Sequence, residues 1–440
     1  MSDVDTPTTR MPTPTEASTP PTPPTQAPTS PPTPPARRRP GWLLAAVVAV
    51  VLVIAGALMF AGLPGPTPEP SGAVVPSPGE SGSAEPTAPS ESPTVPASPT
   101  PSPPPPRAPE DYLLLTRAQL LALPTAGPAW EALVGFAGAD FGPPNLRDQD
   151  SRHDVSTLAA ALVFARTGDQ LYGDRARDAI MAAIGTEKEG ATNSILALGR
   201  QLGAYVLAAD FIKLSGADDA RFRTWLDEIR TTNLGGHGRW TSLVGTHEDS
   251  ANNWGAFAGA SRIAAGLYLG DTADVARAAQ VLRGFLGDRS AWDKFQPVEG
   301  SASWACDPDK YVPVNPACTR DGIDIDGAIV RDIDRGGNLK WPPGRDGVAY
   351  TLEALQGLSL QAELLTVNGY GNAWHWSDEA IRRATDLVTR SGDAGGRTWN
   401  RSEVSYHLPW LLNARYGLGL PTRPAGQGRI FGYTDWLYGG

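Results

Sequence analysis

The pattern of hydrophobic and polar positions separates a low-complexity first quarter of the chain from a helical remainder. From about residue 110 onward, apolar side chains recur every three to four residues, which is typical of amphipathic helices. No long alternating strand pattern appears before about residue 297. The periodicity predicts an all-α domain over 110–440, with helices at 116–123, 128–138, 154–167, 170–185, 194–214, 218–232, 251–269, 272–287, 347–368, 377–391 and 403–416.

The short turns between these segments favour antiparallel helix pairs. We expect the pairs to form an α/α toroid, an incomplete barrel in which inner and outer helices alternate. Segment 288–346 interrupts the helical rhythm and contains the only two cysteines, Cys306 and Cys318. Outside the cytoplasm their spacing favours a disulfide that closes a surface loop, with two free thiols as the alternative.

The first 109 residues are dominated by Pro, Thr, Ser and Ala. This composition predicts that residues 1–40 form a disordered cytoplasmic tail. Residues 41–63 contain an uncharged apolar run that spans about 33 Å as a helix, enough for a hydrocarbon core of about 30 Å. The arginines just before the run predict a single-pass anchor in the cell membrane with an extracytoplasmic C-terminal domain. A cleaved signal peptide is the competing interpretation, and 64–109 reads as a Pro-rich linker.

The charge balance bears on which ligands the protein can bind. The chain has 47 acidic and 37 basic residues and a net charge of −10, which argues against nucleic-acid binding. A local basic cleft would still accept an anionic substrate. We expect no metal and no cofactor, because Asp321, Asp324 and Asp326 match an oxygen-ligand calcium site only weakly.

The stretch 247–254 changes from polar residues to a small-residue helix. It contains His247, Ser250, Asn252 and Asn253 and ends at Trp254. With Ser250 as the predicted N-cap, both asparagines lie in the first turn, where helix amides and the positive dipole end favour an anion. The pattern indicates a carboxylate-binding corner. The alternative is that the asparagines only cap a buried helix.

Several longer segments resemble the alginate lyase family, polysaccharide lyases with an α/α toroid. They are SRHDVSTLAAALVFARTGDQLYGDRARDAI (151–180), ILALGRQLGAYVLAADFI (195–212), SANNWGAFAGASRIAAGLYLGD (250–271) and the later YTLEALQGLSLQAELLTVNGY (350–370). The resemblance covers about 110–390 and includes the order of the elements. It implies cleavage of a uronate-containing polymer by β-elimination. In that reaction an amide or cation neutralises the C5 carboxylate, a His or Tyr removes the C5 proton, and a Tyr protonates the departing O4.

The resemblance assigns roles to particular residues. Asn253 matches the carboxylate-neutralising asparagine, and Tyr350 is the best match to the catalytic tyrosine. Arg335 or Arg345 would supply the family's arginine. We therefore expect Asn253 and Tyr350 to face one another across a shared groove.

One position departs from the family, because Trp254 stands where the family has its catalytic histidine. Another histidine would then serve, with His247 nearest in sequence and His375 or His407 reachable through the fold. Alternatively, Tyr350 acts as both base and acid. As a third possibility, the protein binds polysaccharide without cutting it.

Further candidates for substrate binding are polar or aromatic side chains expected near the groove. Each has a structural alternative, namely a buried hydrogen bond, a solvated ion pair or core packing. These candidates are Asn252, Trp254, Arg200, Arg331, Trp374 and His375.

The sequence thus predicts a membrane-anchored, extracytoplasmic polysaccharide lyase that acts on an anionic polysaccharide. A glycoside hydrolase on the same kind of barrel is one alternative, with Glu299, Asp324 or Asp326 as its carboxylates. A non-catalytic polysaccharide-binding protein of the cell envelope is the other.

Overall fold

A computed structural model describes residues 107–188, 194–235, 240–297, 302–392, 399 and 406–439. These residues belong to one compact unit, Pro96–Gly440. The predicted tail, the apolar run at 41–63 and the linker up to residue 106 lie outside the described residues. Within the described ranges, no helix combines the length and apolar character needed to cross a membrane.

The described part of the chain is mostly helical, which confirms the all-α prediction. Its helices are α1 Arg117–Ala122, α2 Pro128–Gly138, α3 His153–Thr167, α4 Gln170–Ala183, α5 Ser194–Phe211, α6 Gly216–Ile229, α7 Leu243–Asp249, α8 Asn253–Leu269, α9 Thr272–Leu286, α10 Val330–Ile333, α11 Arg345–Val367, α12 Trp376–Ser391, α13 Leu408–Tyr416 and α14 Thr434–Tyr438. Short 3-10 turns lie at Ala302–Trp304, Asp334–Gly336 and Ala373–His375. A two-residue hairpin pairs β1 Thr319–Arg320 antiparallel with β2 Ile323–Asp324.

Two kinds of helix build the core. Helices α3, α5, α8 and α11 are buried around most of their circumference. They pack in the order α3, α5, α8, α11, each against the next. Helices α4, α6, α9 and α12 bury one face and expose the other. The exposed-face helices pack outside the buried ones, so the core lies along the line of the four buried helices.

The start of α8 differs from its prediction. Asn252, rather than Ser250, is the N-cap, because its side-chain oxygen accepts hydrogen bonds from the amides of Trp254 and Gly255. Ser250 ends the preceding helix α7 and donates its hydroxyl to the Asn252 oxygen at 2.7 Å. The predicted cap was wrong because α7 is only seven residues long and its polar residues resemble a loop.

The disulfide prediction is confirmed. Cys306 and Cys318 are bonded, with their Cα atoms 6.0 Å apart. Inside the loop that they close, Asn315 donates its amide nitrogen to the carbonyl of Trp304 at 2.8 Å and to that of Ile325 at 3.1 Å. The bridge therefore clamps a loop that is also fixed by buried hydrogen bonds.

Close packing of α8 against α11 requires glycine at Gly357. A Cβ atom added there would lie 2.4 Å from the carbonyl carbon of Ala256, and a backbone atom cannot rotate away. We expect Gly357→Ala to lower the free energy of unfolding by about 3 kcal/mol, measured by denaturant unfolding. Gly135→Ala is the matched control, because a Cβ on that α2 residue meets no atom within 4 Å. The control should gain about 0.5–1 kcal/mol from helix propensity. Equal stabilities of the two variants would contradict this packing.

Candidate active-site cleft

A cleft of about 530 Å³ opens where the buried helices begin. Helices α5, α8 and α11 contribute residues from their amino-terminal halves, and residues just before α3 complete one wall. The positive ends of the helix dipoles therefore converge on the cleft, which favours an anionic ligand. The lining residues are Gln149, Asp150, Leu196, Arg200, Trp240, Asn253, Trp254, Arg335, Tyr350, Glu353 and Arg429.

Three side chains form what we call the anion corner: Arg200, Asn253 and Glu353. Asn253 is the first residue of α8 and donates its side-chain nitrogen to Glu353 Oε2 at 2.8 Å. Arg200 Nη2 donates to the same oxygen at 2.5 Å. Arg200 and Asn253 are buried, whereas the Glu353 side chain is 22% exposed. Two donors on different helices thus converge on one carboxylate oxygen.

Several cleft residues carry buried polar atoms that form no hydrogen bond with any described residue. They are Arg200 Nε, Trp240 Nε1, Asn253 Oδ1 and Arg429 Nε. Folded proteins pair nearly all buried polar atoms, so these four atoms leave the walls of the cleft with incompletely satisfied polar groups.

Tyr350 lies on the same helical face as Glu353, because the two residues are three positions apart on α11, almost one helical turn. The Arg335 guanidinium sits over the Tyr350 ring, 4.2 Å from its centroid. A positive charge therefore stands beside the phenol. Asn253 and Tyr350, predicted to share a groove, both line this cleft.

Two tryptophans form an aromatic wall. The rings of Trp240 and Trp254 are 5.8 Å apart and tilted by 47°. The Arg331 guanidinium lies 5.0 Å from the centre of the Trp240 ring. Flat aromatic faces in a polar cleft suit the apolar faces of sugar rings.

Another part of the lining joins residues that are far apart in the sequence. Arg429 donates to Asp150 at 2.9 Å and to the carbonyl of Gln149 at 2.7 Å. The lining thus contains three arginines and two carboxylates, although the whole chain carries a net charge of −10. This local excess of positive charge favours an anionic substrate.

His247 does not reach the cleft. Its side chain is buried, with Nδ1 3.4 Å from Arg262 Nη1. Burial, reinforced by the charge of Arg262, holds the pKa of His247 well below its usual range. A neutral imidazole enclosed in this way does not touch a ligand in the cleft. His407 is also buried and is not among the cleft-lining residues.

Arg200 and Trp254 line the cleft as predicted, whereas five other predicted site residues do not: Asn252, Arg331, Arg345, Trp374 and His375. Asn252 caps α8, and Arg345 is exposed at the first position of α11. Trp374 is buried and donates Nε1 to Glu363 at 3.1 Å. His375 is exposed and contacts the Glu379 carboxylate at 2.8 Å. Each of these positions is explained by a local structural contact or by exposure to solvent.

The candidate hydrolase carboxylates do not face the cleft either. Asp324 pairs with Arg390 at 2.8 Å, and Asp326 pairs with Arg383 at 2.5 Å. Glu299 lies outside the described residues. Among the residues that are described, no group of three or more His, Cys, Asp or Glu side chains is arranged to hold a metal ion.

Sequence reasoning missed five polar or aromatic lining residues, besides the apolar Leu196. Glu353 carried a usable signal, because its spacing from Tyr350 places both on one helical face. The other four lie in connecting segments or come from distant parts of the chain, and no local pattern marks them: Gln149, Asp150, Trp240 and Arg429.

Asp332 lies directly behind the anion corner and is fully buried. Its Oδ1 accepts the backbone N–H of Asn253 at 3.3 Å, while Oδ2 forms no hydrogen bond with any described residue. Burial raises the pKa of Asp332 to about 8, and the nearby charges of Arg335 and Arg331 only partly oppose this. The residue that tethers the start of α8 is therefore largely protonated at neutral pH.

Asp332→Asn should make the protein more stable at alkaline pH. The folded-state pKa of Asp332 lies above its unfolded value, so the free energy of unfolding of the wild-type protein falls as the pH rises from about 4 to about 8. Asparagine cannot ionise. Its advantage in thermal unfolding midpoint should therefore grow across that range, to roughly 5 °C. A difference that stays constant with pH would show that Asp332 is not protonated in the folded state.

Comparison of the chain with protein-family models and with curated proteins finds no match.

Proposed function

We propose that this protein is a polysaccharide lyase that cleaves a uronate-containing polymer by β-elimination. The observation that carries the proposal is the meeting of Asn253, Arg200 and Tyr350 in one cleft although they are far apart in sequence. The resemblance to alginate lyases assigns carboxylate neutralisation and proton transfer to Asn253 and Tyr350.

An α/α toroid is the architecture that we propose for the domain. Four buried helices alternate along the chain with four helices that expose one face. The buried helices all begin at the cleft, so they run in the same general direction and the exposed-face helices return the chain between them. Inner and outer helices of a toroid alternate in this way.

The proposed reaction begins with binding of the uronate carboxylate at the anion corner. Arg200 and Asn253 neutralise its charge, which makes the C5 proton acidic enough to remove. Tyr350, acting as the phenolate, takes the C5 proton on its oxygen, and the C5–H electron pair forms the C4–C5 double bond. The C4–O4 bond breaks with its electron pair leaving on O4, and the phenol so formed returns the proton to O4.

This route assigns both proton transfers to Tyr350. Trp254 stands in the position of the family histidine, and His247 is enclosed behind the corner. The Arg335 guanidinium beside the Tyr350 ring would stabilise the phenolate that starts the reaction and is restored at its end. Trp240 and Trp254 would hold the sugar by its apolar face.

We further propose that the domain works outside the cytoplasm. The apolar run at 41–63 would anchor it to the cell membrane, and the Pro-rich linker at 64–109 would hold it away from the surface. The Cys306–Cys318 disulfide supports an oxidising compartment.

Incubation of the full-length protein with a panel of uronate polymers tests the proposal. A lyase releases fragments with an ultraviolet-absorbing unsaturated end. New reducing ends without unsaturation would identify a hydrolase instead and overturn the proposal.

A non-catalytic polysaccharide-binding protein is the second candidate. The observation that favours it is Trp254 in the position of the family histidine, beside a second tryptophan. This candidate predicts that the polymer is retained without any product and that retention is the same in Tyr350→Phe.

A further inference from the structure

The anion corner already contains a carboxylate, that of Glu353. We propose that Glu353 is an internal substitute for the substrate carboxylate. It engages Arg200 and Asn253 before substrate binds and is displaced by a carboxylated sugar, so that it sets both affinity and specificity. This inference rests on the proposed function, because that function gives the same two donors to the substrate.

The hydrogen bonds show the overlap directly. Glu353 Oε2 accepts from Asn253 Nδ2 at 2.8 Å and from Arg200 Nη2 at 2.5 Å. These are the donors that would neutralise the uronate. Two ionised carboxylates at the same two donors disfavour one another, because like charges a few ångströms apart in a partly buried site repel strongly. Substrate binding therefore requires that Glu353 leave.

The surroundings allow Glu353 to leave. Its side chain is 22% exposed, whereas Arg200 is 5% exposed, so the carboxylate borders the open cleft and its partner is fixed in the wall. Arg335 and Arg429 line the same cleft and provide further positive charge for a displaced carboxylate. When the substrate displaces Glu353, the ion pair between Arg200 and Glu353 is replaced by one between Arg200 and the substrate carboxylate, so the buried guanidinium stays paired.

Specificity follows from this exchange. A neutral sugar offers no group to replace Glu353 at Arg200 and Asn253, so its binding leaves the corner closed. A carboxylated sugar binds only those protein molecules in which Glu353 has left Arg200 and Asn253. Its apparent affinity is therefore the intrinsic affinity multiplied by the fraction of molecules in that state. Removing the Glu353 charge should therefore strengthen binding of the carboxylated sugar alone.

Calorimetric titration of the full-length protein tests this, with β-1,4-linked tetramannuronate and mannotetraose as probes that differ only at C6. Glu353→Gln is expected to bind tetramannuronate about tenfold more tightly than the wild type and to bind mannotetraose with unchanged affinity. Asp150→Asn is the matched control. It also removes one cleft carboxylate, but one that pairs with Arg429 outside the anion corner.

The sign of the change decides between interpretations. Weaker binding of tetramannuronate by Glu353→Gln would mean that Glu353 merely positions Arg200 and Asn253, and this overturns the proposal. Equal increases in tetramannuronate affinity in Glu353→Gln and Asp150→Asn would indicate a general charge effect and would also overturn the proposal. The proposal would likewise be overturned if none of the three proteins bound tetramannuronate.

The result is separable from the lyase claim. A selective gain in Glu353→Gln, with no unsaturated product from any polymer, supports the internal carboxylate and removes the elimination chemistry. Unsaturated product from the wild type, with no increase in tetramannuronate affinity in Glu353→Gln, supports the elimination chemistry and removes the internal carboxylate.

Discussion

Tyr350→Phe is expected to lower kcat for formation of unsaturated ends by about 10³-fold. The change removes only the hydroxyl, and the ring can remain beneath the Arg335 guanidinium, 4.2 Å from ring centroid to charge. We assign both proton transfers to that hydroxyl, so its loss stops proton removal at C5 and protonation of O4 together. The measurement is the initial rate of ultraviolet absorbance with saturating polymer.

The control for this prediction is Tyr172→Phe. Tyr172 lies on α4, a helix with one exposed face, and is not among the cleft-lining residues. Its variant should keep the wild-type rate. A Tyr350→Phe protein that is folded, binds polymer and retains the wild-type kcat would remove Tyr350 from the chemistry.

Asn253→Ala is expected to reduce kcat by about 10²–10³-fold, because a preorganised donor to a developing negative charge is lost. The backbone N–H of residue 253 still donates to Asp332, so the start of α8 should remain in place. The measurement separates kcat from KM over a range of polymer concentrations.

Its neighbour gives a matched control, since the sequence assigned substrate contacts to both asparagines. Asn252 caps α8 and does not line the cleft. Asn252→Ser keeps a good N-cap residue and should therefore retain most of the activity. If the Asn252 variant lost activity and the Asn253 variant kept it, the roles of the two asparagines would be reversed.

The long buried helices were predictable from sequence because their apolar periodicity persists over four or more turns. The starts of the helices were less predictable. At α8, two polar residues compete for the cap, and only the three-dimensional contact between Ser250 and Asn252 decides between them. The same polar run concealed α7, and with it the burial of His247.

The pair Asn253 and Tyr350 came from a resemblance that covers the order of the helices. The rest of the cleft depends on contacts that no local pattern records. Arg429 reaches Asp150 across 279 residues of sequence. Glu353 was overlooked because an acidic residue is not an obvious candidate for a site expected to bind an anion.

The structure of the Tyr350→Phe protein with bound tetramannuronate tests the central claim most directly. The account predicts one uronate carboxylate within hydrogen-bond distance of Arg200 and Asn253, the C5 hydrogen directed at the missing hydroxyl, and Glu353 displaced from the corner. A tetrasaccharide whose carboxylates all point away from Arg200 and Asn253, with Glu353 still in place, would contradict it.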